Sequence, residues 1–162
     1  MFIMDKDVAV LKRFAEYAFE SLERTCQDLT EEEAEWRPVE EANNTRWILN
    51  HISRITNISL PRALKKDSDY TPSGWLDNYR EETFSVEELF RDINGARATV
   101  DEAFDVITSQ DLAEEIPGRR GPRKRELAIF TYINEIISHK GQIAAIRGNI
   151  KRRREKDPEF LT

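Results

Sequence analysis

The sequence predicts an all-α protein built as a single four-helix bundle. The chain has 162 residues, about the size of one domain with one core. Four segments of roughly twenty residues carry apolar side chains at steps of three and four, the spacing of one face of an α-helix. Six glycines and six prolines are few for an all-β chain, which turns about every ten residues. These observations favour long helices packed side by side.

Composition and charge narrow the range of functions. Hydrophobic residues make up 39% of the chain and charged residues 35%, which is typical of a soluble globular protein. A formal net charge of -6 argues against general nucleic-acid binding. No apolar stretch is long enough for a signal peptide or a membrane span. The single cysteine, Cys26, excludes an intrachain disulfide, so we expect a cytoplasmic protein without nucleic-acid or membrane partners.

The first helix is predicted from about Asp5 to Gln27. Thr30 and Glu33, three residues apart, form a capping box for one short turn. Pro38 follows that turn and prevents it from continuing as a helix. The inward face of the first helix is a stripe of apolar residues, namely Val8, Leu11, Phe14, Ala15, Ala18 and Leu22.

The second helix opens after Asn43 and Asn44, either of which can serve as its N-cap. It is expected to fade or kink at Pro61. A polar and aromatic connection then runs from Lys65 to Thr83. Because this connection is long enough to run the length of a bundle, the third helix is predicted to return parallel to the second. The inward stripe of the second helix consists of Trp47, Ile48, Ile52 and Ile55.

Two further helices complete the predicted bundle. The third begins at a capping box formed by Ser85 and Glu88 and buries an apolar face. The fourth is predicted from Leu127 to Gly148, after a loop rich in glycine and proline. Residues 1–150 therefore make up the bundle, and the charged tail 151–162 is expected to be a frayed, solvated helix end. The buried face of the third helix is Val86, Leu89, Phe90, Ile93, Val100, Phe104 and Ile107.

The two histidines of the chain both fall where helical periodicity predicts burial. His51 lies on the inward stripe of the second helix. In the fourth helix Glu135 stands among apolar residues, His139 follows four residues later on the same face, and Gln142 continues this face three residues further on. These residues make a polar ladder through an otherwise apolar helix.

A divalent metal ion would compensate for burying the Glu135 carboxylate, which otherwise costs several kcal/mol. Glu135 and His139, at positions i and i+4, can converge on one cation, with His51 on a facing antiparallel helix as the third ligand. Two simpler interpretations stay open. His51 can be a hydrogen-bonded structural residue, and Glu135 with His139 can be an ordinary side-chain pair on a solvated face.

The segments from Asn44 to Ile52 and from Glu135 to Ile143 resemble the DinB/YfiT-like superfamily of four-helix metal-binding proteins. The resemblance spans nearly the whole chain and includes the linker Trp36-Arg-Pro38. It implies that His51 and His139 occupy ligand positions, with Gly141 and Gln142 at the positions that follow the last ligand. The sequence departs from the family at Glu135, where the family usually has the first histidine of a pair.

The resemblance implies a metal-dependent enzyme that acts on a small molecule, either as a hydrolase or as a thiol-dependent transferase. Some members of the superfamily use a low-molecular-weight thiol, and many are described as metal-dependent hydrolases. Two histidines and one carboxylate suit zinc or nickel, with iron or manganese as alternatives. The competing interpretation is a non-catalytic binding or stress-related bundle whose metal site has degenerated. No residue outside the three candidate ligands stands out as catalytic.

Several other residues have weaker functional interpretations. Arg46, Trp75 and Tyr79 either line the mouth of the pocket or only pack the fold. Cys26 is not expected to be a nucleophile, because no histidine lies near it. The basic run 147–154 is interpreted as a solvated helix end, because it lacks aromatic residues for base stacking. Apolar residues near the termini, Phe2, Ile3 and Phe160, suggest a homodimer.

Overall fold

A computed structural model describes residues 4–162 and confirms the helical fold class. Two strands of two residues each form the single antiparallel sheet of this described range, a hairpin that the sequence did not predict. None of the described helices has the length and apolar character needed to cross a membrane. In chain order the elements are α1 (Lys6–Thr25), α2 (Glu31–Glu35), α3 (Thr45–Arg54), a π-helical turn (Ile55–Ser59), α4 (Leu60–Lys65), α5 (Val86–Phe104), α6 (Ser109–Ala113), β1 (Glu115–Ile116), β2 (Arg123–Lys124) and α7 (Arg125–Lys156).

The second helical segment, from α3 through the π-helical turn to α4, runs in the same direction as α5. Near its start Arg46 donates a hydrogen bond of 2.6 Å to the carbonyl of Phe84, just before α5. Further along, Asn57 donates one of 3.2 Å to the carbonyl of Asp92. The connection between the two segments therefore returns the chain to the end of the fold at which α3 begins.

Helix α7 runs antiparallel to the second helical segment. Its first residue, Arg125, donates a hydrogen bond of 2.9 Å to the carbonyl of Ala63, near the end of α4. Further along α7, His139 lies beside His51, which is near the end of α3. This antiparallel pairing is what brings the two histidines to the same height.

The core lies between the four long helical segments, and each large side chain that it buries contributes roughly 1.5–3 kcal/mol. One residue of the predicted inward stripes, Trp47, is instead exposed, with 41% relative accessibility, and Phe130 of α7 is also exposed, at 48%. Phe130 packs at the surface against Phe14, with ring centroids 5.4 Å apart. The largest fully buried side chains include Leu22, Ile48, Leu49, Ile52, Leu60, Leu89, Ile93, Phe104, Ile129, Ile133 and Ile136.

Side-chain caps set the starts of four helices, α2, α3, α5 and α6. Asn44 is the N-cap of α3, because its side-chain oxygen accepts a hydrogen bond of 2.9 Å from the backbone N–H of Trp47. Ser85 and Glu88 form the predicted reciprocal capping box of α5. Thr30 caps α2, but the side chain of Glu33 turns away from it toward α7, so that only half of the predicted box forms.

Pro61 does not end the second helical segment. A π-helical turn precedes it, and α4 carries the helix on to Lys65. The π-helical geometry accommodates the proline, which lacks the N–H that a regular helix would use at this position. The side chain of Asn57 donates a hydrogen bond of 3.0 Å to the carbonyl of Ser53 within this stretch. The segment ends at Lys66, whose backbone adopts a left-handed conformation with φ of 58°.

Helix α7 continues without a break past residue 150, and the tail beyond it folds back onto the protein. The side chain of Arg154 donates hydrogen bonds to the carbonyls of Phe160 and Leu161. The ring of Phe160 packs edge-on against Trp36, with centroids 5.9 Å apart. The expectation of a frayed helix end is therefore wrong, because these contacts hold the segment. Most residues of the tail 151–162 are exposed to solvent, as expected.

The homodimer stays a prediction. Of the apolar terminal residues that suggested it, Phe2 and Ile3 lie outside the described residues. Phe160 is engaged with Trp36 within the same chain, which makes it less available to a second copy.

Candidate metal centre

Three side chains from two helices meet in the cleft between the second helical segment and α7. His51 lies one turn before the end of α3, and Glu135 and His139 lie one turn apart on α7. The side chains of His51 and His139 are 26% and 18% exposed, and that of Glu135 is 43% exposed. The structure thus brings together the three residues that the sequence predicted as ligands.

The spacing of the three side chains fits metal ligands better than hydrogen-bonded partners. Glu135 Oε2 lies 3.6 Å from Nε2 of His51 and 3.8 Å from Nε2 of His139, both too long for a hydrogen bond. One ligand atom from each residue falls within 4.8 Å of the other two. Two atoms bound at about 2.0–2.2 Å to a tetrahedral cation lie roughly 3.3–3.6 Å apart. A small adjustment of the side chains would place all three around one ion.

Glu135 is at the rim of the cleft rather than buried in it. Its neighbours Ile133 and Ile136 are fully buried, which led the sequence interpretation to place Glu135 inside as well. The carboxylate instead projects past them to the edge of α7 and keeps 43% of its accessible surface. A buried carboxylate in need of compensation is therefore not what this site contains. The open side gives small molecules access to the three ligand atoms.

The ring of His51 is held by contacts on both sides. The ring of Trp47, one turn earlier, stacks on it with centroids 5.6 Å apart and planes inclined by 17°. A guanidinium nitrogen of Arg54 donates to His51 Nδ1 over 3.2 Å, and the Nε of Arg54 donates to Asn50 Oδ1 over 3.1 Å. These contacts direct His51 Nε2 toward Glu135. Trp47 and Arg54 were not predicted as site residues, although their spacing of four and three residues from His51 was visible in the sequence.

The electrostatic surroundings favour neutral His51. Burial lowers its pKa, and repulsion from the His139 ring, when that ring is charged, and from Arg54 lowers the pKa further. The carboxylate of Glu135 acts in the opposite direction and does not reverse the shift. A neutral imidazole is the form that binds metal ions, so His51 is available as a ligand near neutral pH.

Gln142 lies next to the site, as predicted. Its Oε1 is 3.4 Å from His139 Nδ1, a long contact in which the ring N–H is the donor. With the proton on Nδ1, the lone pair of Nε2 is free and faces Glu135. Such a partner fixes the tautomer and the ring orientation of a metal-binding histidine.

The other candidate residues serve the fold. Arg46 pairs with the carboxylates of Glu31 and Glu35. Tyr79 is buried, and Trp75 stacks on it with ring centroids 4.0 Å apart, so that both hold the connection before α5 in place. This outcome agrees with the packing interpretation of these residues.

Cys26 is unsuited to act as a nucleophile, as expected. The thiol is buried, and burial raises its pKa to about 12. At neutral pH the side chain is therefore a protonated thiol inside the core.

The helical fold and the sequence segments around His51 and His139 both indicate a DinB-like protein. The sequence profile of the mycothiol S-transferase family matches residues 10–152. Because this match covers most of the chain, the protein belongs to that family. No curated protein matches the chain significantly.

Solved structures share the fold at low sequence identity. A conserved protein from Enterococcus faecalis superposes with a TM-score of 0.67 at 18% identity, over 86% of this chain and 94% of that one. A mycothiol-dependent maleylpyruvate isomerase superposes with a TM-score of 0.66 at 14% identity, over 84% of this chain. The present chain covers 60% of the isomerase, which is a longer protein.

Proposed function

We propose that the protein is a metal-dependent thiol S-transferase, which joins a low-molecular-weight thiol to a small electrophile. The observation that carries the proposal is the convergence of His51, Glu135 and His139, with one ligand atom from each within 4.8 Å of the others. Membership of the mycothiol S-transferase family supports a thiol as one substrate. The cytoplasm, where such thiols are kept reduced, is the location that we propose.

The donor set fits a divalent cation. Two neutral imidazoles and one carboxylate suit zinc or nickel best, and iron or manganese are also compatible with a carboxylate ligand. Three protein ligands leave a coordination position for a substrate, and the open side at Glu135 faces solvent. This open geometry supports a catalytic site over a closed structural one.

A cation held there would lower the pKa of a bound thiol, so that the thiolate is available near neutral pH. In the reaction the S–H bond of the thiol breaks and its proton passes to solvent. The sulfur lone pair forms the new C–S bond, and the leaving group departs with the electrons of its bond to carbon. His51 and His139 contribute as neutral ligands, and Gln142 orients the second of them.

Glu135 also balances charge. Its carboxylate is the one anionic group among the three candidate ligands, so it offsets one positive charge of a divalent cation. Because this carboxylate is 43% exposed, the proton released by a thiol has a direct path to water. We therefore assign no separate general base to this chain.

The test is a coupled measurement of thiol consumption and thioether formation. Protein purified without a histidine tag and loaded with Zn²⁺ or Ni²⁺ is incubated with mycothiol or glutathione and 1-chloro-2,4-dinitrobenzene. We expect metal-dependent thioether formation that His51→Ala abolishes, while the exposed-residue control Gln110→Ala retains it. Formation at the uncatalysed rate with every thiol and metal would contradict the proposal. So would an equal rate in His51→Ala, or hydrolysis of an ester substrate without any consumption of thiol.

A further inference from the structure

A cavity of about 380 Å³ lies between the end of the second helical segment, the start of α7 and the β1–β2 hairpin. Its size is that of a small-molecule site. Four basic side chains line it, those of Arg62, Lys66, Arg123 and Arg125, and Tyr132 contributes an aromatic wall. None of the residues assigned to the metal centre lines this cavity.

Two of the four basic side chains are neutralised by partners from the protein. Lys66 forms an ion pair of 2.6 Å with Asp111, and Arg125 forms one of 3.1 Å with Glu114. Arg125 is also buried and donates to the carbonyl of Ala63. These two residues hold the walls of the cavity together and leave little capacity for a ligand.

The other two guanidinium groups lack such partners. Within residues 4–162, Arg62 and Arg123 form no ion pair with a carboxylate. Arg62 donates through Nε to the carbonyl of Tyr70 over 2.8 Å, and Arg123 donates through Nη2 to the hydroxyl of Tyr132 over 3.2 Å. The Nε–H of Arg123 is buried and has no hydrogen-bond acceptor. Buried donors without an acceptor are rare because they cost free energy, and no protein atom satisfies this one, so it is a donor that a ligand in the cavity can use.

The cavity is lined by residues of the same two helical segments that carry the candidate metal ligands. Tyr132 lies three residues before Glu135 on α7, which is about 4.5 Å along the helix. On the opposite wall Ser59 lies eight residues after His51, roughly 12 Å along the segment. The same two helical segments therefore supply the candidate metal ligands and two of the cavity walls. The hairpin closes the cavity by supplying Arg123.

We propose that this cavity binds the carboxylate of an organic-acid electrophile whose reactive carbon reaches the metal centre. The inference rests on the proposed function and specifies its substrate class. A guanidinium presents parallel N–H donors that match the two oxygens of a carboxylate. Arg62 and Arg123 together offer two such groups, one from α4 and one from the hairpin. Binding there would supply the acceptor that Arg123 Nε–H lacks.

The first experiment does not depend on metal or on activity. Metal-free protein, labelled with ¹⁵N, is titrated with glutarate, and the Nε–H signals of Arg62 and Arg123 are followed by NMR. Glutaramide, which has the same length and no charge, is the matched control ligand. The Nε–H of Arg97, which pairs with Glu20 on another face, is the control signal.

We expect saturable shifts at Arg62 and Arg123 with glutarate, no shift with glutaramide, and at least a tenfold weaker affinity for glutarate in Arg123→Gln. Equal shifts at Arg97, or no saturation, would overturn the inference. Equal affinity for inorganic phosphate would overturn the assignment to a carboxylate.

The second experiment links the cavity to the metal centre. The metal-loaded protein is assayed with 4-chloro-3-nitrobenzoate and with the corresponding benzamide as electrophiles. We expect kcat/KM to favour the acid at least tenfold, a preference that falls toward one in Arg123→Gln and persists in Arg97→Gln. An equal kcat/KM for both compounds would overturn the link, even if both react. No reaction with either compound would contradict the proposed function, while the NMR result would still decide whether the cavity binds carboxylates.

Discussion

His51 and His139 meet edge to face across two antiparallel helices, with ring centroids 4.5 Å apart and ring planes at 82°. Two imidazolium ions at this distance would repel each other, and burial adds to the cost of charging His51. The pair is therefore most stable with at least one ring neutral. With Glu135 beside both Nε2 atoms, the arrangement matches the needs of a divalent cation.

Replacing Gln142 tests how the second histidine is oriented. Gln142→Ala removes the acceptor near His139 Nδ1, so the ring is free to rotate and to change tautomer. We expect Zn²⁺ affinity to fall by about 10- to 100-fold, the usual effect of such a partner. Competition with a chromophoric chelator measures this change, with Gln110→Ala as the control. Wild-type affinity in Gln142→Ala would show that Gln142 does not orient His139.

Replacing Arg54 is expected to strengthen metal binding. Its guanidinium donates to His51 Nδ1 and places a positive charge near the site. When Nε2 of His51 binds a cation, the neutral ring carries its proton on Nδ1. This N–H then points at the N–H donors of the Arg54 guanidinium, so that two donors face each other. Arg54→Met should therefore raise Zn²⁺ affinity by about 3- to 10-fold. Competition with the same chelator measures the change in Zn²⁺ affinity. The control is Arg46→Met, which removes a guanidinium paired with Glu31 and should leave the Zn²⁺ affinity unchanged. Weaker binding in Arg54→Met would mean that Arg54 supports the site.

Glu33 ties helix α2 to the end of α7. Its carboxylate is almost fully buried and pairs with Arg147 at 3.3 Å and Arg154 at 2.6 Å. We expect Glu33→Gln to lower the free energy of unfolding by about 2 kcal/mol. This is below the cost of breaking a fully buried pair because both arginines retain contact with water. Chemical denaturation measures the change, and the exposed neighbour in Glu32→Gln is the control. Equal stability of the two variants would show that the tether contributes nothing measurable.

Because the thiol of Cys26 is buried, we expect the protein to lose stability at alkaline pH. The pKa of this thiol is about 12 in the folded protein and about 8.5 in an unfolded chain. The unfolded state therefore loses its thiol proton first, so this contribution to stability is complete below pH 8.5 and declines as pH rises toward 12. Between pH 8 and pH 10 the free energy of unfolding should fall by about 2 kcal/mol more in the wild type than in Cys26→Ala. If the free energy of unfolding changes with pH equally in the two proteins, the claim that Cys26 is a buried, protonated thiol is contradicted.

The sequence predicts best where short-range signals determine the structure. Asn44 and Ser85 mark helix starts because a cap needs only residues within the next turn. The pairing of Glu135 with His139 follows from their spacing on one helix, and the antiparallel register with His51 follows from counting residues along two helices. These local and counting arguments nominated the three candidate ligands, and the resemblance to the DinB/YfiT-like superfamily added support for His51 and His139.

Features that depend on distant parts of the chain were not predicted. The π-helical turn before Pro61 and the β1–β2 hairpin have no clear local signature. Trp47 is exposed because it covers one face of His51 rather than packing into the core, and periodicity alone does not separate these two positions. Glu135 reaches the rim because α7 borders an open cleft at that height. The order of the tail depends on Trp36, more than one hundred residues earlier.

The central claim is that His51, Glu135 and His139 together hold one divalent cation. Titration of metal-free, untagged protein with Zn²⁺ by isothermal calorimetry tests it most directly, with circular dichroism to verify that each variant keeps its helices. The account predicts one high-affinity site per chain, at least a 100-fold loss of affinity in Glu135→Gln, and no detectable site in His51→Ala. Wild-type protein that binds no Zn²⁺, Ni²⁺, Fe²⁺ or Mn²⁺, or variants that bind as tightly as the wild type, would contradict it.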